Sequence, residues 1–137
     1  MRSPVIIDTG PLVALLNRRE ESHARVRAVL EQLPTALLTC EPVLAEAMYL
    51  LRSVSGGSNG VLSLVKSGLL RVPMAIEANA LELERLMIRY SNVPMSLADA
   101  CVVRMVELMP DASVLTLDSD FSVYRAKKTR VIQLVDL

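Results

Sequence analysis

The chain has 137 residues, and its 15 lysines and arginines are balanced by 15 aspartates and glutamates, so its formal net charge is zero. This balance argues against a protein that coats nucleic acid through overall positive charge. Apolar residues make up 52% of the chain, but no run of about 18 apolar residues occurs, so we expect a soluble, single-domain, cytoplasmic protein without a membrane span.

The first half of the chain alternates short apolar runs with helical patterns. Thr9 is expected to cap the first helix, and Pro34 is expected to end the second. Glycine and serine predominate at residues 53–60, which predicts a loop there. In chain order, the other predicted elements are a strand at residues 5–8, a helix at 12–17, a helix at 22–33, a strand at 36–39 and a helix at 42–52.

The second half continues this alternation. Apolar side chains recur at spacings of three and four over residues 76–90, which predicts an amphipathic helix. Residues 96–109 have few polar positions, so their helix should be largely buried. The remaining predicted elements are a short helix at residues 61–67 and strands at 69–73, 114–117 and 131–134.

Short apolar strands that alternate with helices predict parallel β-α units. Continuous apolar strands such as Val5-Ile6-Ile7 fit a sheet that is covered on both faces. The predicted fold class is therefore α/β, an α/β/α sandwich with a short, mostly parallel central sheet. Residues 1–137 are expected to form one domain, since no internal repeat or second domain is visible.

Four carboxylates lie beside apolar sequence, each in a different segment. Asp8 and Asp118 follow predicted strands, and α/β sheets bind ligands at the carboxyl ends of their strands. Glu46 and Asp99 lie on predicted helices, and no basic residue stands three or four positions from either. A carboxylate beside buried surface is costly unless something compensates it. The four together therefore predict a site for a cation.

Each carboxylate taken alone also has an ordinary explanation. Asp8 and Asp118 could cap the helices that follow them. The helix dipole could favour Asp99 in a first turn, and Glu46 could face solvent. Asp120 is a fifth candidate, for which capping the short helix after the strand is preferred over contact with the metal.

Ligands that are all oxygen atoms favour a hard cation, Mg²⁺ or alternatively Mn²⁺, over zinc. Zinc is disfavoured because His23 is the only histidine, is expected at the surface, and no Cys-x-x-Cys motif occurs. Cys40 and Cys101 lie in apolar stretches and should be buried as small apolar side chains. Three residues could orient the carboxylates through hydrogen bonds: Thr9, Ser96 and Thr116.

Basic residues cluster at three places despite the neutral total charge. These clusters are Arg18-Arg19, Arg25 with Arg27, and Lys127-Lys128 with Arg130. A solvated surface is preferred for each cluster over contact with a substrate.

The acidic residues occur in four segments with a definite order and spacing. The segments are Val5-Ile-Ile-Asp-Thr-Gly-Pro-Leu-Val-Ala-Leu-Leu16, Val43-Leu-Ala-Glu-Ala47, Leu97-Ala-Asp-Ala100 and Val114-Leu-Thr-Leu-Asp-Ser-Asp-Phe121. This set resembles the PIN-domain family, in particular the small VapC-type toxin ribonucleases of bacterial toxin–antitoxin pairs. Gly10 stands where many relatives carry serine, which leaves the acidic set intact. The family's acidic positions match Asp8, Glu46, Asp99 and Asp118.

The resemblance implies a metal-dependent endoribonuclease with an RNA substrate, a homodimeric state and a cognate antitoxin. In the implied reaction, water activated by one or two Mg²⁺ ions attacks a backbone phosphorus and leaves 5′-phosphate and 3′-hydroxyl ends. The main alternative is a non-catalytic PIN-fold module that binds RNA or protein. Asp8-Thr9-Gly10 also spells the aspartic-protease triplet, but those enzymes are mainly β-strand and this chain is predicted to be mainly helical. A phospho-acceptor receiver domain is disfavoured because no lysine closely follows residues 114–117.

Overall fold

The computed structural model describes residues 3–33 and 36–137, and the predicted helix end at Pro34 lies outside them. The strands in these ranges are β1 (Val5–Ile7), β2 (Leu37–Leu38), β3 (Leu70–Arg71), β4 (Ser113–Leu115), β5 (Arg125–Ala126) and β6 (Arg130–Val131). The α-helices are α1 (Thr9–Leu16), α2 (His23–Glu31), α3 (Glu41–Leu50), α4 (Gly57–Ser67), α5 (Ala80–Arg89) and α6 (Leu97–Leu108). Short 3₁₀ turns at Glu77–Asn79 and Ser119–Ser122 precede α5 and follow β4.

The central sheet has the strand order β3-β2-β1-β4, and all neighbouring strands in it are parallel. Val5 of β1 pairs with Leu37 of β2 on one side and with Ser113 of β4 on the other. All three residues of β1 are buried, as expected for a strand in a sheet whose two faces are both covered. The predicted α/β/α sandwich with a mostly parallel sheet is confirmed.

The helices pack against one another as well as against the sheet. α1 contacts α2 and α3, α3 contacts α4 and α6, and α5 contacts α6. Seven of the 12 residues of α6 are buried, which confirms the prediction of a largely buried helix. Cys40 and Cys101 are free thiols, also buried as predicted. No helix in the described ranges is long and apolar enough to cross a membrane.

Two helices begin three or four residues earlier than the sequence predicts. α1 begins at Thr9, so Asp8 occupies the N-cap position and the prediction that Thr9 caps the helix is wrong. α4 begins at Gly57, so the second half of the predicted loop at residues 53–60 is helical. Gly56 allows this start because its φ of +70° lies in the left-handed region, which glycine adopts without crowding of a Cβ.

The last predicted strand, residues 131–134, is divided between two partners. Val131 pairs with Arg125 in an antiparallel β5–β6 hairpin that the sequence did not predict. Leu134 instead forms a parallel bridge with Val114 of β4. The end of the chain therefore extends the edge of the central sheet beyond β4.

Candidate functional site

Two neighbouring strands bring the first and last predicted acidic segments together. The N–H of Asp8 donates to the Leu115 carbonyl at 3.0 Å, which holds the residue after β1 beside the end of β4. The Thr116 hydroxyl donates to Asp8 Oδ2 at 2.9 Å and accepts the Asp118 N–H at 3.0 Å. One threonine therefore fixes both the side chain of Asp8 and the backbone of Asp118. The expectation that Thr116 orients a carboxylate is confirmed.

Asp8 is buried, with 5% of its surface exposed, and its carboxylate does not cap α1. Burial raises the pKa of Asp8 from its ordinary value of 3.8 to about 6. The Thr9 amide and the Thr116 hydroxyl lower this pKa, whereas the charges of Asp99 and Asp118 raise it further. Asp8 is therefore a buried carboxyl group whose charge the neighbouring residues compensate only in part.

Asp99 lies in the first turn of α6 and forms a capping box with Ser96. The Asp99 N–H donates to Ser96 Oγ at 3.0 Å, and the Ser96 N–H donates to Asp99 Oδ2 at 3.2 Å. The Tyr124 hydroxyl donates to the same Oδ2 at 3.1 Å. Burial raises the pKa of Asp99, and these hydrogen bonds oppose the rise while Asp118 adds to it. Asp99 is thus held through Oδ2, which leaves Oδ1 outside these contacts.

Glu46 reaches the site from α3, where its side chain is exposed. The Thr9 hydroxyl donates to Glu46 Oε1 at 3.0 Å, so the first residue of α1 holds this carboxylate. The expected orienting role of Thr9 is therefore confirmed, although its expected capping role is not.

Asp118 caps the 3₁₀ turn Ser119–Ser122, since its Oδ1 accepts the Asp120 N–H at 2.9 Å. The preferred prediction that Asp120 is the cap is therefore wrong. Asp120 does not line the cavity that the other four carboxylates share. Its charge instead helps to raise the pKa of Tyr124, after the larger effects of burial and Asp99. The Tyr124 hydroxyl consequently stays protonated and remains a donor.

The four carboxylates meet at one cavity of ≈ 280 Å³. The cavity is lined by Asp8, Thr9, Gly10, Glu46, Asp99, Leu117 and Asp118. Because the described residues of this lining are acidic and include no lysine or arginine, the cavity favours a cation. Among the described residues, no three acidic, histidine or cysteine side chains already form a ligand set for a metal ion. The donor set fits Mg²⁺ or Mn²⁺, because Mg²⁺ usually keeps several waters and needs only one or two direct carboxylates.

Other groups that could bind a ligand lie elsewhere or are unreactive. A separate cavity of ≈ 300 Å³ is lined mainly by leucines, and its two charged side chains, Arg27 and Glu31, pair with each other at 3.1 Å. His23, expected at the surface, is half-buried, with its Nδ1 2.7 Å from a backbone carbonyl of α1. A hydrogen bond with Cys101, together with burial, raises the pKa of the Cys40 thiol, so this sulfur stays protonated.

Comparison with known sequences identifies the family. The PIN domain model matches residues 5–127, which include all four carboxylates of the cavity. The chain belongs to the PIN domain family. No curated protein matches this PIN domain in sequence.

Six solved chains match this PIN domain in structure. One is the crystal structure of VapC20 from Mycobacterium tuberculosis, described as a toxin that cleaves the sarcin–ricin loop. The two structures agree with a TM-score of 0.79 at 20% sequence identity, over 92% of this chain and 98% of VapC20. Their likeness shows a shared fold, and it confirms the PIN-like sandwich expected from the sequence.

Tyr124 contacts a carboxylate of this PIN domain's site and was not predicted from the sequence. Its side chain is fully buried, and its ring packs edge-on against Phe121 with centroids 5.1 Å apart. A buried tyrosine usually finds a hydrogen-bond partner for its hydroxyl, and here that partner is Asp99. The only signal in the sequence was that Tyr124 follows the Asp118–Phe121 segment closely along the chain. This proximity does not predict that the Tyr124 side chain is buried.

Proposed function

We propose that this PIN domain is a Mg²⁺-dependent endoribonuclease, active also with Mn²⁺, and the toxin of a toxin–antitoxin pair. The observation that carries the proposal is the cavity shared by Asp8, Glu46, Asp99 and Asp118 beside the carboxyl ends of two parallel strands. Among the described residues no basic side chain pairs with these carboxylates, and such a group suits a hard divalent cation, which commonly serves phosphate chemistry.

Under this proposal the four cavity carboxylates hold the cation, and Asp120 does not. When bound, the ion supplies positive charge that makes water a stronger nucleophile and offsets the charge that develops on a phosphate. Thr116 and Thr9 hold Asp8 and Glu46 through hydroxyl hydrogen bonds, which reduces the reorganisation needed when the site is used.

Hydrolysis of RNA adds water to a backbone phosphorus and releases the 3′-oxygen with a proton, which gives 5′-phosphate and 3′-hydroxyl ends. No histidine or lysine is among the described side chains that line the cavity, so its acid–base groups are carboxyls. A Cβ at Gly10 would lie 3.4 Å from the Leu117 Cβ, which is an ordinary van der Waals contact.

The fold shared with VapC20, which is described as a toxin that cleaves the sarcin–ricin loop, supports RNA as the substrate class. A toxin of this kind acts on RNA in the cytoplasm and is inhibited by a cognate antitoxin protein. We also infer a homodimer. Exposed apolar side chains on α3 and α5 offer surface for such contacts: Tyr49, Leu50, Leu81 and Ile88.

An RNA cleavage assay in EDTA, Mg²⁺ or Mn²⁺ tests this function. Wild-type protein should cleave RNA with either ion and lose cleavage in EDTA. Asp8→Asn and Asp99→Asn should each reduce cleavage to background while circular dichroism shows an intact fold. Asp120→Asn is the matched control, since it removes one aspartate charge outside the cavity and should retain cleavage.

Metal-independent cleavage would contradict the proposal, as would full cleavage by the folded Asp8→Asn variant. A folded wild type that binds RNA but cleaves none with any ion would instead favour the alternative, a non-catalytic PIN-fold module that binds RNA or protein.

A further inference from the structure

Another cavity has four basic side chains among its seven lining residues and shares none of them with the cavity of Asp8, Glu46, Asp99 and Asp118. It has a volume of ≈ 260 Å³ and lies where α5, the end of α6 and the β5–β6 turn meet. Its exposed basic side chains are Arg85, Arg89, Lys127 and Lys128. We call this cavity the basic groove.

The two glutamates that also line the basic groove are already paired with Arg104. Arg104 Nη1 lies 3.3 Å from Glu107 Oε1, and Arg104 Nη2 lies 3.9 Å from Glu82 Oε1. Within residues 3–33 and 36–137, none of the four basic side chains of the groove forms a salt bridge. The groove therefore presents uncompensated positive charge on a chain whose net charge is zero.

The two lysines occupy backbone positions that suit other residues better. Lys127 and Lys128 have φ values of +48° and +73°, in the left-handed region where Asn and Gly are preferred. The Lys127 N–H donates to Glu107 Oε2 at 2.7 Å, and this hydrogen bond helps to hold the turn. Unfavourable backbone conformations of this kind concentrate at functional sites. Positive charge is what these lysines supply that an Asn-Gly turn would not.

The basic groove and the carboxylate cavity share structural elements. α6 carries Asp99 in its first turn and Glu107 near its end, which is roughly 12 Å further along the helix axis. Tyr124, which donates to Asp99, directly precedes β5 of the hairpin. About four stacked nucleotides of one strand cover this distance, at ~3.4 Å for each nucleotide.

We propose that the basic groove binds the sugar–phosphate backbone of the RNA, a few nucleotides from the phosphate at the carboxylates; this inference rests on the proposed function. A polyanion with regularly spaced charges matches several cations arranged along one groove, and each neutralised phosphate releases counterions. The groove thus supplies affinity for RNA that the acidic cavity itself cannot supply.

Binding of fluorescein-labelled oligouridine, measured by fluorescence anisotropy across a salt series in EDTA, tests the groove. The double variant Lys127→Asn/Lys128→Gly removes two cations and installs residues that the turn prefers, so its melting temperature should equal or exceed that of wild type. We expect its Kd to rise roughly tenfold at about 0.1 M salt. The slope of log K against log salt should become shallower by about 1.4, or ~0.7 for each single-strand phosphate that the variant no longer neutralises.

The matched control is Arg18→Gln/Arg19→Gln, which removes the same charge from another cavity, between the end of α1 and residues 53–55. Its Kd should stay within about twofold of wild type, since the groove still neutralises the same phosphates. Equal losses of affinity in both double variants would overturn the proposal, because total charge would then explain binding. An unchanged Kd in Lys127→Asn/Lys128→Gly, the turn variant, would also overturn the proposal and would favour an acidic protein as the occupant of the groove.

Cleavage kinetics separate this inference from the proposed function. If wild type cleaves RNA and the turn variant shows an increased KM, both are supported. If wild type cleaves RNA and the KM of the turn variant is unchanged, RNA binding by the basic groove is contradicted, whereas the proposed nuclease activity is not. If no form cleaves RNA, the nuclease is contradicted, and the anisotropy measurements still decide whether the groove binds RNA.

Discussion

Asp8 is the residue at which folding and ion binding oppose each other. In the folded chain the pKa of Asp8 is about 6, whereas the ordinary pKa of an aspartate is 3.8. A raised pKa means that the folded state binds this proton more tightly than the unfolded state. Its contribution to stability is therefore fully present below pH 3.8 and is lost as the pH rises through 6. The loss amounts to about 3 kcal/mol, at ~1.36 kcal/mol for each pKa unit.

Asp8→Asn should therefore stabilise the protein when no divalent cation is present. The amide can still accept the Thr116 hydroxyl, but it carries no charge to bury. In EDTA we expect the free energy of unfolding of the variant to exceed that of wild type by up to about 3 kcal/mol at pH 7.5, with little difference at pH 4. Urea unfolding across this pH range is the measurement. Parallel pH profiles for the two proteins would contradict the burial of the Asp8 charge.

Tyr124 is predicted to position Asp99. Tyr124→Phe removes the hydroxyl that donates a hydrogen bond to Asp99 Oδ2 and keeps the ring. The free energy of unfolding should therefore fall by roughly 1–2 kcal/mol. Residues that orient metal ligands commonly change affinity by 10–100-fold, and we expect Mn²⁺ to bind about tenfold more weakly by calorimetry.

Tyr90→Phe is the matched control for Tyr124→Phe. Tyr90 packs against Tyr124 with ring centroids 5.1 Å apart, but its hydroxyl accepts the Arg125 N–H and bonds to no carboxylate in the part of the chain that the structure describes. Tyr90→Phe should lower the free energy of unfolding by about as much as Tyr124→Phe does, and it should leave Mn²⁺ affinity unchanged. Equal loss of Mn²⁺ affinity in both variants would mean that the Tyr124 hydroxyl acts only through the stability of the fold and does not position Asp99.

At the residue scale, the sequence predicts which charged residues form the site better than it predicts their hydrogen-bond partners. Asp8 and Asp99 stand out because apolar neighbours surround them and no local base does. Tyr124 does not stand out, because its role depends on a contact with Asp99 across 25 positions of sequence. Asp120, two residues beyond Asp118, was expected to cap the short helix after the strand, yet Asp118 takes that role through its own side chain.

At the element scale, α4 is the clearest difference between sequence and structure. Glycine and serine at residues 53–60 predict a loop because both lower helix propensity. Packing overrides this preference at Gly57, where an added Cβ would lie 2.9 Å from the Leu51 carbonyl oxygen and 3.0 Å from the Val54 Cβ. The glycine is therefore required for close contact at the start of the helix rather than for a flexible chain.

Gly57→Ala should destabilise the protein by about 1–3 kcal/mol, because the backbone of Leu51 must move to admit the methyl group. Gly60→Ala is the matched control within the same helix. Its Cβ would meet the Leu16 Cδ2 at 3.2 Å, which is the end of a flexible side chain, and alanine favours a helix over glycine. Urea unfolding should therefore show a change of less than about 1 kcal/mol for Gly60→Ala. Similar losses of stability for both variants would contradict a specific close contact at Gly57.

At the scale of the whole molecule, the strand order creates the site. Alternating apolar strands and helices predict a parallel sheet, but they do not predict which strands are neighbours. The order β3-β2-β1-β4 places β4 beside β1, and this brings Asp118 to Asp8 although most of the chain lies between them. The hairpin that carries Lys127 and Lys128 was missed because its strands have only two residues each and its turn lacks the expected Asn-Gly chemistry.

Because the acidic cavity is lined by residues of α1, α3 and α6 and of the segments that follow β1 and β4, an ion bound there should stabilise the entire fold. An ion that binds only the folded chain at 100 times its Kd adds about 2.7 kcal/mol. The ion competes with the proton on Asp8, so its apparent affinity should fall about tenfold between pH 7 and pH 5. We therefore expect Mn²⁺ to raise the melting temperature clearly more at pH 7.5 than at pH 5.

Differential scanning fluorimetry of wild type, Asp8→Asn and Asp120→Asn measures this effect. Asp8→Asn should lose the stabilisation by Mn²⁺ at both pH values, whereas Asp120→Asn should keep the wild-type response because its side chain lies outside the cavity. Equal Mn²⁺ shifts at pH 5 and pH 7.5, or a full shift in Asp8→Asn, would mean that the ion binds at another place. A Mn²⁺-induced shift in melting temperature that depends on both pH and Asp8 would show that an ion held at the carboxylates stabilises the α/β/α sandwich.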